Sequence, residues 1–523
     1  MSILARKAAQ TDIPALCRLF EDCIRDMDEK GLDQWRWEVY PNEAVLMEDV
    51  DAGSLHILED EGEVLAAFTV NEDQDDQYAT LHWHFGVKPA VLHRLVVSPR
   101  RQRQGLGREA MGHVLRIAKE TGHDSLRLDT YLKNARAMAL YEGIGMRKAG
   151  QVKFDHRTTR FQCYEIALRE DCPLLPMRMR PHFRCAPELP WGGDKLKRLF
   201  GKEIPNDKTG ESLEISVIPG MESHVEGGEG LQELLAAYGE KLQGTHIKGP
   251  FPLLLKLLDA RDALSVQVHP GDAYAGKNEN GKLGKTEAWV ILQADPGAEL
   301  VYGLTPGVTR EELMEACHHG AAVEKYLRRV KVKEGDVCFI PAGCVHAIGA
   351  GILLYEIQQS SDVIYRFYDW DRTNDKGQKR PLHIQKAVDV ADLDFQLDPT
   401  PRTEGTGFAP LLRNDIFELD RLHVSGELVI TPDDRRFAFL TAMDSLLLSW
   451  EGDALELKKG DSVLLPAHRP ALTLRGVGEA LFAQPFLRGA APKNPAKGSG
   501  TPPPPVAEMG GVEEAGETEQ CER

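Results

Sequence analysis

Leu264-Ser265-Val266-Gln267-Val268-His269-Pro270 is the stretch on which the reading of this chain turns. Along an extended strand successive side chains point to opposite faces, so Ser265, Gln267 and His269 share one face and Val266 and Val268 the other. A buried sheet face that carries Gln and His side by side needs partners for them, because an unpaired buried polar group costs about 1–3 kcal/mol. A bound cation is the simplest partner once Glu287, from Lys285-Thr286-Glu287, and His346, from Gly343-Cys344-Val345-His346, are added. Zinc accepts His nitrogen and carboxylate oxygen readily, and a Gln carbonyl oxygen is a rarer ligand. Singly, each residue has a plainer reading: His269 as an exposed turn residue before proline, Glu287 as a solvated strand end. Their conjunction favours the metal.

Working outward, 523 residues exceed one ordinary domain, and length alone suggests about three. A net charge of −18 argues against non-specific nucleic-acid binding, which needs basic patches. The nine cysteines are scattered without a CxxC pair, which favours neither a disulfide framework nor a thiolate zinc site. The first residues lack the apolar core of a secretion signal, and no run approaches the ~18 to 20 apolar residues of a membrane span. A cytoplasmic enzyme without membrane or nucleic-acid partners is the expectation.

In residues 1–170, apolar positions at Ile13, Leu16, Leu19, Phe20, Cys23, Ile24 and Met27 predict a helix capped by Thr11 or Asp12. Strands are expected at residues 55–59, 64–70 and 92–97, and a helix over 109–120 after the turn Gln102-Arg103-Gln104-Gly105-Leu106-Gly107. A strand, a glycine-containing turn and a helix N-terminus make a ready anion site, although glycine pairs alone are weak signals. Leu95-Val96-Val97, Gln102-x-x-Gly105-x-Gly107, Asn134 and Leu140-Tyr141-Glu142-x-x-Gly145 together resemble the GNAT family of N-acetyltransferases. The resemblance implies an α/β fold and acetyl-CoA as acetyl donor. Residues Leu95 to Val97, Gln102 to Gly107 and Asn134 would then hold the cofactor, and Tyr141 would be the acid for the departing thiolate. Tyr141 reads equally as a core aromatic. His84, His93 and Glu142 stand as undiscriminated candidates for a base, and the amine acceptor is left open. Asp33, Gln34, Trp35, Trp83 and His84 either shape its pocket or pack the core.

Prolines 173, 176, 181, 187 and 190 predict a linker over 171–190, with the next domain's first strand near Met179. Beyond it, short strands punctuated by Gly and Pro predict a β-sandwich or barrel with a helical insertion over 231–242. Trp191-Gly192-Gly193, Gly210-Glu211-Ser212, Phe251-Pro252-Leu253-Leu254-x-Lys256, the opening stretch, Gly284-Lys285-Thr286-Glu287, Pro341-Ala342-Gly343 with His346-Ala347-Ile348-Gly349, and Tyr365-Arg366-x-Tyr368-Asp369 closely resemble the short bacterial type I mannose-6-phosphate isomerases. The resemblance covers most of residues 180–488. It implies a cupin-type β-fold in which Gln267, His269, Glu287 and His346 bind zinc and Arg366 is the active-site arginine. Leu213, where an aromatic is common, and Cys344, where Thr is common, depart from the pattern without touching a ligand.

Aldose–ketose interconversion of a sugar phosphate moves a proton between C1 and C2 through an enediolate. Zinc and the charged fork of Arg366 suit that charge. Lys285 and Lys256 are candidate active-site or phosphate groups, and Ser265 a phosphate donor. The base stays open. A non-catalytic sugar-phosphate sensor is the alternative, disfavoured by retention of all four ligand types and Arg366. Finally, Gly335-Asp336-Val337-Cys338-Phe339-Ile340-Pro341-Ala342 recurs as Gly460-Asp461-Ser462-Val463-Leu464-Leu465-Pro466-Ala467, with Ala471 where the first copy has His346. The expected organisation is therefore multidomain: a GNAT unit over 1–170, a zinc cupin (jelly-roll) unit over 180–400, a metal-free cupin-like unit over 401–488, and a disordered tail over 489–523.

Overall fold

The computed structural model describes residues 3–154, 159–226, 228–373, 376–402 and 405–487; the expected tail lies outside them. The amino-terminal unit is built on a seven-stranded sheet in which Pro89–Val97 and Ser125–Tyr131 run parallel and the other neighbours antiparallel. Helix Ile13–Glu29 buries the predicted apolar stripe against Ile57, Ala67 and Val96 on one face. Helix Leu106–Glu120 buries Ala110, Met111 and Val114 against Leu58, Phe68 and Leu126 on the other. The predicted cap at Asp12 does not form. Its carboxylate turns back to accept from Arg6 and from the Ala9 N–H at 2.8 Å, because a 3-10 turn, Gln10–Asp12, leads into the helix. Among the described residues no helix is long and apolar enough to cross a membrane.

The expected linker is woven into sheets. Met177–Arg180 pairs with Ser462–Leu465 and with His224–Val225, and His182–Cys185 pairs with Thr209–Ile215. All five prolines fall outside these strands, as a residue without an N–H must in a paired ladder. The carboxy-terminal sheet therefore takes strands from residues 177–180 and 224–225, which a division by sequence alone assigns elsewhere.

Three β-layers follow. A six-stranded sheet including Leu253–Ala260, Glu287–Ala294, Val337–Ile340 and Ile352–Gln359 lies in the middle. Trp289, Ile291 and Leu258 on its inner face pack against Leu300, Tyr302 and Ile348 of a five-stranded sheet. Leu255, Leu257 and Tyr355 on its outer face pack against Phe437, Phe439 and Leu481 of the nine-stranded carboxy-terminal sheet. The predicted insertion is two helices, Leu231–Tyr238 and Glu240–Gln243, broken at Gly239 where φ is +48°.

Candidate functional site

The opening strand is short, Val266–Val268, and its two valines are fully buried under the helices Arg310–His318 and Ile384–Val390. Gln267 therefore faces the other way, in register with His346 on one neighbour and Arg366 on the other. Directly opposed residues of antiparallel strands share a face, so the three side chains converge. His269 follows directly after that strand, and Glu287 reaches in from the start of Glu287–Ala294 in the facing sheet. His269, Glu287 and His346 each offer a ligand atom within 4.8 Å of the others, all buried. Glu287 Oε1 lies 3.5 Å from His269 Nε2 and 3.3 Å from His346 Nε2.

The turn before His346 is tied to the other candidates. The Gly343 N–H donates to the His269 carbonyl at 2.8 Å and the Ala342 N–H to Thr286 Oγ1 at 3.2 Å. Gly343 takes φ +93°, which favours glycine. The Cys344 carbonyl, 3.0 Å from His346 Nδ1, takes that N–H and leaves Nε2 as the lone-pair nitrogen turned to Glu287. Gln267 Nε2 is 3.3 Å from His346 Nε2, and a half-turn of the carboxamide brings its oxygen to the same point.

Electrostatics favours the same atoms as ligands. Burial, with Lys285 adding, pushes His269 down to about 3, and burial also lowers His346, so both imidazoles are neutral. Burial opposes charge on Glu287, but the Lys285 ammonium holds it well below the usual carboxylate range. Lys285 Nζ lies 2.9 Å from Glu287 Oε2 and 3.1 Å from His269 Nε2. The ammonium donates to His269 Nε2 and lies off the hydrogen-bonding direction of Glu287, neither of whose oxygens accepts a hydrogen bond. A buried anionic carboxylate without hydrogen bonds, beside two neutral imidazoles and a carboxamide, is a donor set that fits a divalent cation.

Arg366 Nε donates to Ser265 Oγ at 3.2 Å, so these two candidates meet. Arg372 and Arg380 stand beside them, both donating to Asp369. Lys256 is placed differently: its buried ammonium sits 3.5 Å from Glu356 and 3.7 Å from Glu211 and is a counter-ion to two carboxylates. Glu356 also accepts from Trp289 Nε1 at 2.9 Å. Sequence reasoning passed over Glu356, whose only signal is a lone acid in the apolar run Ile352–Gln359.

In the amino-terminal unit the parallel strands pair only along Pro89–Leu92 and Ser125–Leu128, then part. A bulge in Pro89–Val97 puts Arg94 at φ +52°, a conformation costing about 1–2 kcal/mol. Two bonds to Asp49, at 2.9 and 2.7 Å, and one to Tyr40 at 2.7 Å hold it there. Two cavities flank the parting, of about 530 and 760 Å3, and Gln34, Trp35, Leu95, Asn134, Ala137 and Tyr141 line both. The predicted donor residues from Leu95 to Val97 and Gln102 to Gly107 line the smaller one, except Gln104, which is exposed outside it. Gly105, at φ +87°, starts helix Leu106–Glu120 there, and Asn134 caps helix Ala135–Glu142 through the Ala137 N–H at 3.1 Å. Tyr141 is buried, and burial raises its hydroxyl pKa. Of the base candidates only His93 lines either of these two cavities. His84 is clamped between Glu165 and Glu229, and Glu142 is exposed and paired with Lys148. Trp83 is buried under Arg127.

Comparison with known proteins gives two families. The Acetyltransferase (GNAT) family matches residues 14–146, and the catalytic domain of type I phosphomannose isomerase matches residues 184–295. The mannose-6-phosphate isomerase of Streptococcus mutans serotype c is 40% identical over 285 residues, covering 53% of this chain and 88% of that protein. The crystal structure of the mannose 6-phosphate isomerase from Bacillus subtilis aligns with a TM-score of 0.52 at 35% identity, covering 59% of this chain and 99% of that one. The ribosomal protein bS18-alanine N-acetyltransferase of Escherichia coli K12 is 40% identical over 60 residues, 12% of this chain and 40% of that protein.

Proposed function

The chain belongs to the type I phosphomannose isomerase family and also carries a GNAT acetyltransferase domain, and on that premise we propose a zinc-dependent interconversion of mannose 6-phosphate and fructose 6-phosphate joined to acetyl transfer from acetyl-CoA to an amine. We assign acetyl transfer to residues 1–170, the joint to 171–190, isomerisation to 180–400 and a metal-free β-unit to 401–488.

The observation that carries the isomerase reading is the buried convergence of Glu287, His269 and His346 within 4.8 Å, beside the sheet face that bears Gln267 and Arg366. Gln267, His269, Glu287 and His346 would hold the ion. Once bound, zinc supplies a Lewis acid for the substrate oxygens on which charge gathers as the proton moves between C1 and C2. Glu287, already anionic, and the imidazoles, already neutral, need no proton removed to act as ligands. Arg366, permanently charged, offers a fork to the phosphate or the enediolate oxygens, and its bond to Ser265 aims both donors the same way. Lys285 balances the charge of Glu287 and would offer its ammonium to a substrate oxygen. The test is a coupled assay of mannose 6-phosphate conversion on the full chain before and after chelation. Conversion that survives removal of all metal refutes the zinc requirement, and none in the zinc-loaded protein refutes the isomerase reading.

For acetyl transfer, the first-turn N–H groups after Gly105 and the basic walls of the smaller cavity suit the phosphates of acetyl-CoA. Tyr141, which lines both cavities, would return a proton to the leaving thiolate.

A further inference from the structure

We propose that the acetyl acceptor is a small amine bearing at least one further positive charge, bound in the 760 Å3 cavity with Gln34 and Asp129 at its reacting end. This rests on the acetyltransferase reading above. The two cavities that meet at Tyr141 differ in charge. The smaller is walled by Lys30, Arg101, Arg103, Arg108, Lys133 and Arg136 against one acid, Asp26. The larger is lined by Asp73, Asp75, Asp76 and Asp129 against one guanidinium, Arg94, and the charge of Arg94 is taken up by Asp49, 2.6 Å away. Its histidine, His93, is pushed down by burial and by Arg94.

Acidic residues gather on many surfaces, so the charge alone identifies nothing. Gln34 is the independent observation. It is 8% exposed, lines both cavities, and its buried Oε1 accepts no hydrogen bond. A buried carbonyl oxygen without a donor costs about 1–3 kcal/mol, and an amine N–H arriving beside the thioester supplies that donor. Asp129 stands one residue past Leu128, the last paired position before the strands part, and its Oδ1 accepts from Tyr78 Oη at 2.8 Å. Burial pushes its carboxyl up to about 6, with Asp75 adding and Tyr78 opposing. A carboxylate of that basicity takes protons efficiently near neutral pH.

In the reaction the acceptor enters as an ammonium and gives one proton to Asp129. The freed nitrogen attacks the thioester carbonyl, a C–N bond forms and the C–S bond breaks. The nitrogen's second proton passes by way of Tyr141 to the departing thiolate, and Asp129 releases its own to solvent. Asp129 thus deals with the charge of the reacting nitrogen. Asp73, Asp75 and Asp76 remain exposed along the cavity wall with no cationic side chain except Arg94 among its lining residues, and a second ammonium on the acceptor matches them.

The test uses the full chain with acetyl-CoA and four acceptors: spermidine, 1,4-diaminobutane, butylamine and a peptide with a free N-terminal alanine. The expected result is a kcat/KM for spermidine or diaminobutane at least about tenfold above butylamine and the peptide, the equivalent of one modest ionic contact. D75N/D76N should raise KM for the diamine severalfold at near-constant kcat. D129N should lower kcat by about 10²–10⁴ without changing acetyl-CoA affinity, and Q34L should lower kcat/KM for amines severalfold more than it weakens acetyl-CoA binding. Equal use of butylamine, preference for the peptide, or an unchanged KM in D75N/D76N overturns the proposal. Acetyl-CoA binding with no amine acetylated overturns it alone, whereas no acetyl-CoA binding overturns the acetyltransferase reading and this proposal with it.

Discussion

Deprotonating one histidine should weaken the joint between the two enzymes. His84, 3% exposed, lies in the amino-terminal unit with Nδ1 2.7 Å from Glu165 and Nε2 2.9 Å from Glu229, a residue of the isomerase side. Glu165 also accepts the backbone N–H groups of His84 and Phe85, so its position is fixed. Burial disfavours the imidazolium, but hydrogen bonds and charge from the two carboxylates outweigh it and raise His84 from 6.5 to about 9. A folded value above the unfolded one means that the stabilisation is complete below pH 6.5 and is lost as pH rises to about 9. That gap corresponds to about 3 kcal/mol, and the 23% exposure of Glu229 argues for somewhat less, about 2 kcal/mol. His82 nearby is held down at about 3 by burial, so it is neutral in the fold over this window, and its titration in the unfolded chain is common to both proteins and cancels in their difference. The measurement is urea unfolding of the full chain, followed by tryptophan fluorescence, for the wild type and H84Q at pH 6.5 and pH 9.5. Taking the difference between the two proteins cancels the titration of thiols and tyrosines. The advantage of the wild type should shrink by about 2–3 kcal/mol between the two pH values, and E229Q should flatten the dependence. An advantage that is equal at both pH values, or larger at the higher one, would show that His84 is not a buried cation.

Four further outcomes are expected. His346→Ala should lose more bound metal on dialysis than Gln267→Ala, because the imidazole is anchored by Cys344 and the carboxamide is the weaker ligand; equal losses measured by atomic emission would contradict this. Arg366→Lys should raise KM for mannose 6-phosphate about tenfold or more, since a lysine cannot keep the fork to Ser265 while contacting an oxyanion; a wild-type KM would sink the assignment. Tyr141→Phe should lower kcat of acetyl transfer by about 10² while acetyl-CoA still binds by calorimetry, and an unchanged kcat would return Tyr141 to a packing role. Gly349→Ala should cost about 3 kcal/mol or more, because an added Cβ would lie 1.9 Å from the Glu299 carbonyl oxygen; an unshifted urea midpoint would disprove it.

The parts of the fold legible in the sequence were those written as local pattern. The stripe from Ile13 to Ile24 and the valines of the opening strand are buried as their spacing requires. The placement of Met177–Arg180 was not legible, because four residues between prolines carry nothing that says which sheet will accept them. The charge partners of Lys256 and His84 are invisible for a related reason. Glu211, Glu356, Glu165 and Glu229 are brought to them by sheet register and by the docking of two units, and both are long-range facts. Asp129 was missed because a single acid in Ser125–Tyr131 reads as the solvent side of a strand; it becomes informative only once the neighbouring strand is seen to part from it.

The repeated turn separates what builds the β-units from what gives one of them chemistry. Asp336 accepts the Lys333 N–H at 3.0 Å and Asp461 the Lys458 N–H at 2.9 Å, and Gly335 and Gly460 both take φ +89°. Each glycine donates to a neighbouring strand, to Ile291 at 2.8 Å and to Ala442 at 2.7 Å, and each turn feeds a four-residue strand, Val337–Ile340 and Ser462–Leu465. Up to the proline the two copies are the same object. After it they diverge. Beyond Pro341 the chain bends at Gly343 and delivers His346 opposite Gln267, inside the gap between two facing sheets. Beyond Pro466 it runs into Leu472–Pro485, which pairs with Phe417–Ile430, and Ala471 at the corresponding position is exposed. The turn is thus a device for ending one strand and starting another. A candidate ligand appears where the next strand enters a second sheet that already carries Gln267, with His269 beside it and Glu287 across from it. The buried cluster of His269, Glu287 and His346 thus belongs to the first copy, and among the described residues the second has only the exposed Ala471 where the first has His346.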